Sequence, residues 1–173
     1  MTSILKVDTL QDASGTGTPY IKDAVLQVKQ GVQATPFTIG TTETDIMSVQ
    51  ITPKSTASKI LVTINLNAVH ANSHSGLVRL FRDSTAIGGG SGDNPGSAAL
   101  ANTIFNIRTL SIHNIDSYCM TYLDSPSSTS TLTYTLKGRS SGTTLYINRT
   151  INTSNVDYNT SVMSTITVQE IGG

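Results

Sequence analysis

The stretch Lys59-Ile60-Leu61-Val62-Thr63-Ile64-Asn65-Leu66-Asn67-Ala68-Val69 decides the class of the fold. Ile60, Val62, Ile64, Leu66 and Ala68 recur at every second position, while Thr63, Asn65 and Asn67 fall between them. Successive side chains of an extended strand point to opposite faces, so a period of two describes one half-buried β-strand. Thr131 to Lys137 repeats the scheme, with Leu132, Tyr134 and Leu136 inward and Thr131, Thr133, Thr135 and Lys137 outward. Met47, Val49 and Ile51 form another strand, as do Leu145 and Ile147, and then Val162, Ile166 and Val168. Weaker runs at 25–28, 37–39, 77–82, 104–112 and 118–123 bring the expectation to ten strands. No window carries a sustained apolar stripe at helical spacing, which predicts no substantial helix.

Composition agrees. The 173 residues include 27 Thr, 21 Ser, 11 Asn and 14 Gly but only two Glu, Glu43 and Glu170, so strong helix formers are scarce. Arg82-Asp83-Ser84-Thr85 and Lys137 to Gly142 read as hairpin connections, and Asp124 to Ser128 as a Pro-containing loop. Two longer connections, Gly88 to Ala101 and Thr150 to Ser161, read as crossovers between sheets. The predicted class is all-β: an antiparallel jelly-roll sandwich of about eight to ten strands. Residues 1–23 stand apart as a short extended arm, and 24–173 form the jelly-roll domain. The arm's Ile4, Leu5, Val7 and Leu10 cannot be buried by the arm alone and need the domain or a partner to cover them.

Eleven Lys and Arg balance eleven Asp and Glu, without a run of either sign. Nucleic-acid binding is not expected, because it needs a basic footprint. No apolar run is long enough to cross a membrane as a helix, and no secretory signal pattern follows Met1. Charged residues make up 13%, a low share of the kind found on surfaces that neighbours cover. Cys119, the single cysteine, sits in a strand-like run and reads as a buried, inert thiol.

Catalysis would need a nucleophile beside an oriented base, and His70, His74 and His113 are the only imidazoles. No G-x-S-x-G elbow is present, and His70 and His74, four apart, fall on a strand end and loop rather than on a helix face that would pair them on a metal. They read as exposed or interface histidines without a structural position. The expectation is no enzyme, no metal and no cofactor. The glycine-rich run from Gly88 lacks the Gly-Lys-Ser/Thr ending of a phosphate loop, leaving Asp93 and Asn94 as residues of a loop that can face a ligand. Apolar side chains on both faces of the run near Phe105, Tyr118 and Tyr122 mark these three as an oligomer interface.

Several segments resemble virion structural proteins of tailed bacteriophages, particularly marine ones: Ile4-Leu5-Lys6-Val7-Asp8-Thr9-Leu10, the run from Leu123 to Arg149, and Ser164-Thr165-Ile166-Thr167-Val168-Gln169-Glu170-Ile171. The body also resembles the trimeric jelly rolls of the complement C1q and tumour-necrosis-factor type. The first resemblance implies a noncatalytic protein of the virion, made in the host cytoplasm, with capsid or tail proteins as partners. The second implies a homotrimer. With a short arm in place of a shaft, the resemblance favours a capsid decoration (cement) protein or head fibre that docks through the arm. The alternative is a tail-fibre or tail-attached receptor-binding module that recognises a host surface glycan.

Overall fold

The strand that opens the sequence reading is the hub of the molecule. In a computed structural model, which describes residues 23–70, 74–90, 102–108, 113–152 and 161–173, Lys59–His70 is a twelve-residue strand. The described strands are β1 (Val25–Gln33), β2 (Phe37–Ile39), β3 (Thr44–Ile51), β4 (Lys59–His70), β5 (Gly76–Arg82), β6 (Thr85–Ile87), β7 (Thr103–Ile107), β8 (Asp116–Asp124), β9 (Leu132–Ser140), β10 (Leu145–Ile147) and β11 (Ser164–Ile171). Among the described residues there is no helix.

Every strand pair is antiparallel, and the strands fall into two sheets. One edge of β4 carries β8, from Ile60 opposite Asp124 to Ala68 opposite Asp116. The other edge carries β11 along residues 59–65 and β10 along residues 68–70, laid end to end in one row. Outside them lie β1, on β11, and β2, on β10. The second sheet runs β3, β9, β5, with β6 and β7 sharing the far edge of β5. Four rows thus face four rows in an antiparallel jelly-roll sandwich.

Alternation dictates the core. Ile60, Val62, Ile64 and Leu66 of β4 and Ile166 and Val168 of β11 project into the gap and meet Val49, Val78, Leu80 and Leu136 from the second sheet, all buried. At about 1.5–3 kcal/mol for each large side chain removed from water, this cluster supplies the main favourable contribution to folding. Gly31 closes one side of the sandwich. A Cβ there would lie 2.1 Å from the Ser48 carbonyl oxygen, so only glycine lets β1 fold this closely over β3.

The connections differ from the sequence reading in two ways. Residues 82–85 do form the hairpin between β5 and β6, with Asp83 in the left-handed region at φ 53°. Residues 137–142 do not form a hairpin, because β9 ends at Ser140 in the second sheet and β10 begins at Leu145 in the first. Both edges of β9 are already taken, by β3 and β5, so the chain must leave the sheet. The two long connections, conversely, do not change sheets. The chain leaves the row at β6 and re-enters it at β7, and does the same between β10 and β11. The chain changes sheets between β2 and β3, β3 and β4, β4 and β5, β7 and β8, β8 and β9, and β9 and β10. The sequence reading also omits β6, starts β3 late and ends β1 early. In β11, Ser164 rather than Val162 takes the first inward place.

Candidate interaction face

The outer face of the first sheet is built from the residues that alternation turns away from the core. In register across β1, β11, β4 and β8 they form three rows: Val28, Gln169, Leu61, Leu123; Gln30, Thr167, Thr63, Thr121; and Val32, Thr165, Asn65, Cys119. None of these twelve side chains belongs to an Asp, Glu, Lys, Arg or His. Gln30 donates to the Thr167 hydroxyl at 3.0 Å within the second row.

Edge strand β1 makes this face more apolar than a solvated sheet needs. Its inward positions hold Gln27, Lys29, Gly31 and Gln33, while Val28 and Val32 point outward and are each 51% exposed. Among the described residues the exposed large apolar side chains are Val25, Val28, Val32, Leu123 and Met163, all on or beside this sheet. The outer face of the second sheet is charged instead. Arg79 is paired with Glu43, and Lys137 lies 3.0 Å from Asp45. Both cations also flank the Phe81 ring, at 5.1 and 5.2 Å from its centroid.

The predicted site residues are distributed unevenly. Phe105 and Tyr118 touch, with ring centroids 5.7 Å apart, and both pack with Tyr122 against the core as half-buried side chains between the sheets. Apolar groups do occupy both faces of β8, but the outward set is Cys119 and Leu123. Cys119 is exposed, which corrects the expectation of a buried thiol: it falls on the outward parity of β8. Ile4, Leu5, Val7 and Leu10 of the arm, and Asp93 and Asn94, lie outside the described residues.

His70 corrects a second expectation. It is fully buried at the end of β4, and its Nε2 lies 2.7 Å from the hydroxyl of Ser140, the last residue of β9. The pair has the donor and acceptor types of a nucleophile and its base, yet both residues are at 0% exposure, out of reach of a substrate. The Ser140 hydroxyl also accepts the Gly142 N–H at 3.1 Å, so the pair fastens the crossover from β9 to β10. His74 and His113 are exposed. Among the described residues no three His, Cys, Asp or Glu side chains gather as a metal site.

Where β10 gives way to β11 beside β4, side chains replace the interrupted ladder. The Asn67 N–H donates to the Ser164 hydroxyl, Ser164 donates to Asn148, and the Asn148 amide donates to the Gln33 carbonyl at 2.6 Å. A cleft of about 350 Å³ opens over this network, lined by Asn67, His113, Asp116, Ser117, Thr150 and Val162 among others. Sequence alternation could not locate it, because it depends on which strands share a row. Compared with known proteins, the chain matches no family model, and no curated protein matches it.

Proposed function

We propose that the chain is a noncatalytic structural protein of tailed-bacteriophage virions, a capsid decoration protein or head fibre. It attaches to the particle through residues 1–23 and associates into a homotrimer through its jelly-roll body. The observation that carries an assembly role is the partition of charge between the two outer sheet faces: ion pairs on the second sheet, twelve uncharged positions with exposed valine and leucine on the first. Protein surfaces destined for burial lose charge at their centre in this way. The place in a virion rests on the resemblance of the segments quoted above, and the arm's apolar residues supply a means of attachment.

Electron microscopy of intact particles with a labelled antibody tests the reading. Label at regular positions on the capsid is expected, and particles without label would overturn it. Label at the tail tip would favour a receptor-binding module instead. The polar cleft beside Asn67, Asp116 and Ser117 favours that second reading, since hydroxyl, amide and carboxylate groups around one hollow suit a sugar. Binding of the protein to host cells, competed by their surface polysaccharide, tests it.

A further inference from the structure

The twelve-residue face of the first sheet is not covered by any of the described residues, and its composition indicates what covers it. We infer that the occupant is the same face, or the adjoining edge, of a second copy of this chain, with Leu61, Thr63, Thr121 and Leu123 at the centre of the contact. The inference rests on the self-association proposed above and deepens it by naming the surface.

Four strands about 4.8 Å apart and three alternate positions about 6.8 Å apart span roughly 20 by 20 Å, or about 400 Å². That is the size of the largest apolar or uncharged patches on ordinary monomers, and about half of the roughly 800 Å² that each partner contributes to a standard interface. The missing half is the rim, and the rim has the right chemistry. Lys59 lies at one end of β4, and Arg149, over the Tyr146 ring, lies towards the other, so charge reappears where the uncharged rows stop. An uncharged centre with a charged border is the anatomy of an interface between folded proteins. A nucleic acid would ask for cations on these rows, and a charged partner for complementary charges; the rows offer neither. A second copy needs no complement other than the one already present: about a twofold axis threonine and leucine rows meet threonine and leucine rows, and about a threefold axis they meet the adjoining edge of the next copy. The inversion of β1 gives independent support. Its valines gain nothing by facing outward in an isolated chain, whereas in an assembly they extend the buried area beyond β11.

Cys119 provides a reporter already in place, as the chain's single thiol, exposed in the isolated chain and part of the third row. The full-length protein is treated with a maleimide over a range of concentrations from nanomolar to tens of micromolar, with sedimentation at each concentration. The expected result is an oligomer at the upper end whose Cys119 reacts at least tenfold more slowly than in the dilute protein. Thr63→Lys places a cation at the centre of the face on a side chain that does not enter the core. It is expected to keep the wild-type thermal melt, to sediment as a monomer and to react rapidly at every concentration. Asn65→Lys, one row away, serves the same purpose should Thr63→Lys fail to fold. An oligomer whose Cys119 stays fully reactive, or one that survives folded Thr63→Lys and Asn65→Lys unchanged, would overturn the surface while leaving self-association intact. A wild-type monomer at tens of micromolar would overturn self-association itself. Slow reaction in such a monomer would identify residues 1–22 of the same chain as the cover, and would overturn the second copy.

Discussion

The Asp124 carboxylate of β8 accepts the phenol proton of Tyr134 of β9 at 2.7 Å, across the gap between the two sheets. Arg82 of β5 donates to the same carboxylate at 2.7 and 2.8 Å. Burial, with Asp124 next to it, holds the Tyr134 hydroxyl well above its ordinary range, so the phenol keeps its proton at any working pH. Tyr134→Phe leaves Asp124 paired with Arg82 and is expected to cost about 1–2 kcal/mol. Asp124→Ala strands both partners and is expected to cost about 3–5 kcal/mol. Urea melts of the two variants and of the double variant measure the coupling, and equal costs for the two single changes would contradict the arrangement.

Ile64 and Leu136 occupy the centres of β4 and β9 on the inward parity, both fully buried. Replacing either by Asp puts an unpaired carboxylate into the core, at a cost of several kcal/mol against the roughly 5 to 15 kcal/mol that hold a domain together. Neither variant is expected to give a cooperative thermal transition, and a sharp melt near the wild-type temperature would refute the placement of these strands.

The histidines should separate by position. His70→Ala removes a fully buried ring and its bond to Ser140, for an expected loss of about 2–4 kcal/mol. His74→Asn and His113→Asn alter exposed side chains and are expected to stay within about 0.5 kcal/mol of wild type. Chemical denaturation of the three single variants measures each cost.

Glu170 should give the protein a component of acid sensitivity. Burial on its own raises its carboxyl, but hydrogen bonds from Gln27 Nε2 at 2.6 Å and the Lys54 N–H at 2.7 Å outweigh it and bring the group below its ordinary value. A carboxyl lowered on folding adds stability that is present above its unfolded value, about 4.3, and is lost as pH falls through the folded value. Glu170→Gln should therefore be less stable than wild type by about 1–3 kcal/mol at pH 7, with the difference narrowing below pH 4. Melting temperatures of both proteins between pH 3 and 7 measure the narrowing; a constant difference would remove the carboxylate from this role.

What could be read in advance was local. The alternation in β4 and β9 depends on nothing but the two faces of a strand, and it placed Ile60 to Ala68 and Leu132 to Leu136 correctly. The sheet to which a strand belongs depends on free edges elsewhere, so residues 137–142 could be read as a turn but not as a sheet crossing. His70 was opaque for the same reason: its partner Ser140 is 70 residues away, and only the fold brings β9 to the end of β4. The outward valines of β1 were visible as letters, but their direction follows from pairing with β11.

The row shared by β10 and β11 has a use in protein engineering. The chain departs after Ile147 and is pinned at both stems, by the bridge between Arg149 and Ser161 and by the Val162 N–H on the Asn148 carbonyl. Register on β4 is thus settled before the departure and again after the return. Lengthening a closed loop costs only about 0.6 kcal/mol for each doubling. A foreign peptide spliced between the two stems would therefore be carried as cargo on a scaffold whose sandwich does not register its length.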